Sequence, residues 1–270
     1  MRTEAQDRSL AERLEKKDKE FKTKIVEYIK SGRIIEFGCG SGAVLSILSE
    51  HLPKSIIVGL DVSETMLDIV SSKKLNNVTL VKADGTHRIF RDNIFDTALF
   101  IYTLHEIYSF GGRNKFLASL NNAYKILKEN GRLIIWDSIK PEHQLVRMRF
   151  KNKATEEKFK RFVKEFKVKR INYKKIGEWV ELDIADCLEF LTKYQHKNTE
   201  WETEMKETHL FIALPELKQI LSNCGFEIEK IEWHTESKEY WEEKLKDVEV
   251  STELSKQPKS YIIVASKGER

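Results

Sequence analysis

The chain is poor in cysteine and has no long apolar run. Its three cysteines, Cys39, Cys187 and Cys224, are far apart and odd in number. That argues against a disulfide framework and against a cysteine zinc site. No segment approaches the roughly 18 consecutive apolar residues of a membrane span. The chain is charged from Arg2 onward and shows no apolar signal region, so no membrane partner and a cytoplasmic location are expected. The seven histidines show no metal-ligand spacing such as H-x-x-x-H, and no metal is expected. Internal repeats and low-complexity tracts are absent as well, which excludes solenoid and disordered classes.

What is present is a highly charged globular composition. The 270 residues are 40% hydrophobic and 33% charged, with a net charge of +4. The basic character is local. Between Arg147 and Lys175 stand 13 Lys or Arg against Glu156, Glu157 and Glu165, so the rest of the chain is net acidic. Such a run is either a solvated helix face or a site for a polyanion.

The chain is organised around Ile34-Ile35-Glu36-Phe37-Gly38-Cys39-Gly40-Ser41-Gly42. Ile34, Ile35 and Phe37 form a short buried-strand pattern, glycines at every second position break it, and Ala43–Leu48 reads as an apolar helix face. Strand, glycine turn and helix open a nucleotide-binding α/β unit. Glycines allow a tight turn and close approach of a ligand to the backbone. The spacing is not the G-x-G-x-x-G of dinucleotide sites, and Glu36 just before the turn suits a cationic ligand better than a pyrophosphate. S-adenosylmethionine carries an ammonium and a sulfonium. The segment resembles motif I of the class I S-adenosylmethionine-dependent methyltransferases, of the small-molecule type.

Later segments extend the resemblance in order. Ser55–Asp61 is a second buried strand ending in an acid about 20 residues beyond the glycines, where a carboxylate accepts hydrogen bonds from ribose hydroxyls. Asp61 or Ser63 also suits an N-cap for the helix that follows. Leu60-Asp61-Val62-Ser63-x-x-Met66-Leu67 resembles the family's next motif, which implies Met66 beside the adenine. Val78–Asp84 is a third strand; by resemblance Asp84, flanked by Ala83 and Gly85, takes the adenine amino group, although Asp-Gly is also a plain turn. Ile94–Tyr102 is a fourth strand, followed by Leu104-His105-Glu106-Ile107, which looks like motif IV. No Asn-Pro-Pro-Tyr or Asp-Pro-Pro-Tyr stands there, which disfavours base-amino and glutamine acceptors. A helix with Phe116, Leu117, Leu120, Ala123, Tyr124 and Leu127 on one face is expected to end at Asn130-Gly131, before a fifth strand, Arg132–Asp137. Phe226–Ile231 and Tyr261–Ala265 read as closing strands after a helix begun by Pro215.

The resemblance implies a Rossmann-like, mostly parallel seven-stranded sheet in the order 3-2-1-4-5-7-6, flanked by helices. Residues 32–137 plus 215–267 form this domain. Residues 1–31 read as a charged N-terminal helix and candidate lid. Residues 138–214 read as a largely helical inserted cap, with helices around Glu156–Phe166 and Ile184–Tyr194. The implied cofactor is S-adenosylmethionine, held by Glu36, Gly38, Cys39, Gly40, Gly42, Asp61, Val62, Met66, Ala83, Asp84, Gly85, Ile101 and Tyr102. His105 and Glu106, after the fourth strand, are the catalytic candidates. His105 would act as a base or pack against the cofactor. His143, His196 and His209 are further candidate bases, and Trp136, Trp179 and Trp201 candidate pocket walls. The expected reaction is methyl transfer to a small molecule held under the cap. An RNA acceptor bound by residues 147–175 and a non-catalytic partner protein that keeps the fold are the alternatives. The sequence does not set the oligomeric state.

Overall fold

The computed structural model describes residues 3–4, 6–8, 11, 23–138 and 140–268. From Arg33 the chain alternates strand and helix: β1 (Arg33–Phe37), α1 (Ala43–His51), β2 (Ile56–Asp61), α2 (Glu64–Ser72), β3 (Val78–Lys82), β4 (Phe95–Ile101), α3 (Leu104–Ile126) and β5 (Leu127–Asp137). The cap follows with β6 (Leu145–Phe150), α4 (Lys153–Glu165), β7 (Tyr173–Ile176), β8 (Trp179–Asp183), α5 (Ile184–Lys193) and α6 (Asn198–Glu204). The chain closes with α7 (Leu214–Cys224), β9 (Phe226–His234), α8 (Lys238–Lys244), β10 (Val248–Val250) and β11 (Ser260–Lys267).

The main sheet runs β3-β2-β1-β4-β5-β11-β9, the order expected from the sequence. The pairs from β3 to β5 are parallel, and β11 is antiparallel to both β5 and β9. Alternate residues of the central strands serve the two faces. Ile35, Phe37, Phe100 and Ile135 join one cluster with Phe116, Leu120 and Leu221, while Ile34, Leu99, Ile134 and Trp136 join the other with Val44, Leu45 and Leu48. Helices on both faces make these strands near-continuous apolar runs. Two local features differ from expectation. α3 is broken at Gly112 (φ +73°, ψ 178°), so two helical pieces meet there. Its last turn ends at Ile126, not at Asn130-Gly131, because Leu127 already pairs with Phe95 of β4. Asn130 then makes its left-handed turn (φ +58°) within the start of β5.

The cap contains the two expected helices. Asn152 caps α4 by accepting from Thr155 N (2.9 Å), and Asp183 caps α5 by accepting from Ala185 N (2.8 Å). "Largely helical" must nevertheless be amended, since the helices pack on an antiparallel sheet, β10-β6-β8-β7. β6 alternates in burial, with Val146 and Met148 inward and Arg147 and Arg149 outward. The cap's core joins Phe159, Phe162, Phe190, Leu191 and Trp201 with Trp241, Val248 and Leu254. Those last three lie in the segment between β9 and β11 that the sequence assigned to the main domain. The boundary is corrected accordingly: α8 and β10 pack with the cap because β10 pairs with β6.

Most of the helix expected over residues 2–31 lies outside the described residues. Within them Glu4, Gln6, Asp7, Arg8 and Ala11 are helical and Ile25–Tyr28 form a 3-10 turn. Lys24 donates to Glu232 at 2.6 Å, tying this segment to β9. The Lys230 and Lys24 ammonium groups hold the Glu232 carboxyl down to about 2.

Phe190 is fully buried and meets the rings of Phe150, Phe159, Phe162 and Tyr194. Phe190→Ala is expected to destabilise the protein by about 3–5 kcal/mol, read by urea unfolding through tryptophan fluorescence. A loss under about 1 kcal/mol would show that the cap does not share this core.

Candidate active site

β1 delivers the chain to the carboxyl edge of the sheet, where Gly38, Gly40 and Gly42 all take positive φ (+66°, +50° and +75°). A Cβ on Gly38 would stand 2.5 Å from Thr103 Cγ2, so only glycine fits the turn. The loop closes on itself through Gly42 N to Cys39 O (2.9 Å) and is tied to β2 through Cys39 N to Leu60 O (3.0 Å). Thr103 fastens it to the end of β4 by donating to Phe37 O at 3.1 Å. Glu36 lies beneath the loop, 3% exposed.

Asp61 organises the next layer. One carboxylate oxygen accepts from Gly40 N (2.8 Å), the other from Ser63 N (2.8 Å). Burial raises its carboxyl pKa, and the N–H groups of Ser63 and Gly40 act in the opposite sense without overcoming it. Each oxygen keeps a second lone pair for a ligand hydroxyl. Ser63 caps α2 by accepting from Met66 N (3.2 Å), and its hydroxyl donates to Asp7 of the N-terminal segment at 2.5 Å. Thus both readings of this corner apply: Ser63 is the cap, and Asp61 faces the cavity. At the end of β3, Asp84 accepts from Thr86 N (2.9 Å) and Lys115 Nζ (3.1 Å). Burial pushes its pKa up, but Thr86 and Lys115 outweigh that and hold it below the usual value.

The ends of β4 and β5 meet the cap at His105. Its Nδ1 lies 2.7 Å from Asp137 Oδ1, its backbone N donates to Asp137 Oδ2 (3.1 Å), and its Nε2 lies 3.0 Å from Glu207 Oε1. All three side chains are buried. Burial alone would lower the imidazole pKa, but the flanking Asp137 and Glu207 carboxylates hold it well above the ordinary value. Engaged on both ring nitrogens, His105 links strand and cap. His209 packs edge-to-face on it, with ring centroids 5.2 Å apart. Burial and the nearby Lys193 ammonium hold His209 well below the ordinary value. Lys193, fully buried, pairs with Glu204 (3.0 Å) and Glu189 (3.5 Å).

These groups surround one cavity of about 1080 Å³. Every residue expected from the sequence to hold the cofactor lines it except Gly42, which caps α1 and shapes the turn. His105 and Glu106 line it too. Of the other candidates, His196 and His209 face the cavity, whereas His143 stands outside, paired with Asp183. The tryptophans do not line it. Trp136 is buried in the main sheet, Trp201 in the cap core, and Trp179 lies under Arg149 on the cap sheet. Sequence reasoning did not find Thr103, Lys115, Glu204, Glu207, Tyr240 or Lys244, all of which line the cavity. The thiols are inert: Cys39, Cys187 and Cys224 are buried, and burial pushes Cys187 up to about 12.

The fit to S-adenosylmethionine rests on this geometry. The loop gives a side-chain-free cradle, Asp61 offers acceptor lone pairs at the end of β2, and Asp84 stands at the end of β3. Sheet order, glycine loop and both acids are arranged as in a class I S-adenosylmethionine-dependent methyltransferase domain, and the cradle fits S-adenosylmethionine. Residues 35–135 match the family described as Methyltransferase domain. The chain is 33% identical over 93 residues to the uncharacterised protein YafE of Escherichia coli (strain K12), covering 33% of this chain and 42% of that one. It is 25% identical over 202 residues to the ubiquinone/menaquinone biosynthesis C-methyltransferase UbiE of Shewanella sp. (strain W3-18-1), covering 72% of this chain and 66% of that one. The matches thus span less than two thirds of either relative. Among solved structures, the S-adenosylmethionine-dependent methyltransferase from Mesorhizobium loti shares the fold (TM-score 0.57, 16% identity, 93% of this chain and 99% of that one).

Asp61→Ala is expected to weaken binding of S-adenosylhomocysteine by about 1–3 kcal/mol, the cost of leaving ligand hydroxyls unpaired, measured by titration calorimetry. Unchanged affinity would mean that Asp61 does not hold the ligand.

Proposed function

We propose that this chain transfers the methyl group of S-adenosylmethionine to a small, polar acceptor, through an oxygen, nitrogen or carbon nucleophile, enclosed under the cap. The observation that carries the reading is the continuity of the cavity. Glu36, Gly38, Asp61 and Asp84 line one end, and Thr192, His196, Glu204, Glu207, His209, Tyr240 and Lys244 the other. The bound cofactor supplies an electrophilic methyl on a sulfonium; the protein supplies orientation and exclusion of water. Glu36, the glycine turn, Asp61 and Asp84 hold the cofactor, Met66 and Ile101 give apolar walls, and the cap closes the acceptor side. The N-terminal segment serves as a lid, since Glu4 and Asp7 line the cavity and Gln6 Nε2 reaches Thr199 O of the cap (2.7 Å). His105 and Glu106 remain the residues assigned to the reacting end. His105 does so as a positioning group between Asp137 and Glu207, in line with its packing role. The UbiE relative, a C-methyltransferase by name, supports the carbon acceptors within that range.

The RNA alternative loses support from the surface. Arg147 pairs with Glu181, Arg149 with Glu249 and Glu178, Lys160 with Glu156 and Glu157, Arg161 with Glu165, and Lys169 with Asp186. No residue from 147 to 175 lines the cavity. Phe159, Phe162 and Phe166 point into the cap core instead of stacking on bases. A purely non-catalytic partner role is disfavoured by the intact cradle. Among the described residues no helix is long and apolar enough to cross a membrane. A cytoplasmic small-molecule enzyme, working without membrane or nucleic-acid partners, fits these points.

Methyl-labelled S-adenosylmethionine, incubated with the protein and a cell extract, is expected to label the low-mass fraction. Lys160→Glu, Arg161→Glu, Lys164→Glu and Lys167→Glu combined should leave that labelling unchanged. Label in RNA, abolished by the same charge reversals, would overturn the small-molecule reading.

A further inference from the structure

The cap end of the cavity gathers ligand atoms from segments distant in sequence. His105 Nε2 and Glu207 Oε1 lie 3.0 Å apart, His209 Nε2 and Glu207 Oε1 3.7 Å apart. One ligand atom from each of the three residues falls within 4.8 Å of the others. Ligands about 2.1 Å from a tetrahedral zinc ion stand about 3.4 Å from one another, and the two separations to Glu207 lie on either side of that spacing. We propose that His105, Glu207 and His209 form a divalent transition-metal site of the zinc type, whose open coordination position faces the cavity.

The supporting residues are arranged as a metal site requires. His105 Nδ1 is engaged by Asp137 Oδ1 (2.7 Å), and Asp137 is itself fixed by the backbone N–H groups of His105 (3.1 Å) and Ser138 (2.8 Å). A carboxylate on the far nitrogen of a ligating histidine sets its tautomer and aims Nε2. Glu207 and His209 are two residues apart in irregular backbone, and both line the cavity. Thr208 between them turns inward and pins the segment. Its N donates to Ser109 Oγ of α3 (3.0 Å), and its Oγ1 donates to Glu189 Oε1 of α5 (2.5 Å), which also accepts from Leu210 N (2.9 Å). The ligands therefore sit on backbone held from both domains, the condition for a preorganised site.

Donor chemistry selects the ion. Two imidazoles and one carboxylate favour zinc-like transition ions over magnesium or calcium, which take oxygen ligands. Three protein ligands leave a fourth position for a small molecule. Lys193 stands nearby but is paired with Glu204 (3.0 Å) and Glu189 (3.5 Å), so the local carboxylates outnumber the ammonium. Resting on the methyl-transfer reading, the open position takes an oxygen of the acceptor, which narrows the acceptor to a hydroxyl- or carboxylate-bearing molecule.

The test uses the full chain, freed of metal with a chelator and dialysed against zinc, with bound zinc measured by elemental analysis. Cobalt substitution adds a visible spectrum of a nitrogen- and oxygen-ligated ion. One zinc per chain is expected. His209→Ala and Glu207→Gln should each weaken it by at least about tenfold, and Asp137→Asn by about 10–100-fold. His143→Ala, outside the cavity, should leave it unchanged. Binding of S-adenosylhomocysteine by the same preparations shows that the variants are folded. Less than one zinc in the wild-type chain, or undiminished zinc in folded His209→Ala, would overturn the site. Stoichiometric zinc lost in His209→Ala, without any S-adenosylhomocysteine binding by the wild type, would support the metal site and sink the methyltransferase reading.

Discussion

The structure depends on the buried chain Asp137–His105–Glu207. It stands where β5, the start of α3 and the cap converge, and its three side chains leave almost no surface to solvent. Two carboxylates flank one imidazole; removing the imidazole would take from both buried carboxylates the group between them, at a cost of about 3–5 kcal/mol. The apolar clusters of the main domain and of the cap are otherwise separate. This polar contact, with the Ser109–Thr208 hydrogen bond beside it, fixes how far the cap stands from the glycine loop. The width of the cavity follows from that distance.

At the opposite end the controlling group is Asp61. Its two oxygens take N–H groups from the glycine loop and from the α2 cap at once, so loop, second strand and second helix hold one geometry. Through Ser63 the same corner reaches Asp7. The chain thus builds a site with a stiff cofactor floor and a cap anchored by charge. On its basic exterior Arg147, Arg149, Lys160, Arg161 and Lys169 pair with nearby carboxylates, and exposed pairs of this kind contribute little to stability.

The main domain was legible because each strand is a short apolar run ending in a residue with its own chemical signature: Gly38 after β1, Asp61 in β2, Asp84 after β3. Parallel strands buried on both faces leave that mark in any sequence. The cap sheet was not legible because β6 and β7 carry charge on their exposed faces. Alternation such as Val146-Arg147-Met148-Arg149 reads as a basic run before it reads as a strand. The Gly177-Glu178 turn between β7 and β8, with Gly177 at φ +60°, was the one local signal that a hairpin stood there. β10 pairs with β6 from about a hundred residues away, a contact that no local pattern encodes. Helical spacing was the wrong ruler for the cap wall, because Glu207 and His209 reach the cavity from irregular backbone after α6. Their partner His105 belongs to the other domain. The tryptophans misled for a plain reason: large aromatics fill cores more often than they wall cavities.

On the methyl-transfer reading the cofactor lies in the cradle made by the glycine loop, Asp61 and Asp84. Amide hydrogen exchange of the full chain, followed by mass spectrometry with and without S-adenosylhomocysteine, addresses it segment by segment. The account predicts slowed exchange in peptides covering 36–44, 60–66 and 83–86, with β3 and the outer face of the cap sheet unaffected. Exchange unchanged in those three segments at saturating ligand, or protection confined to other parts of the chain, would contradict it.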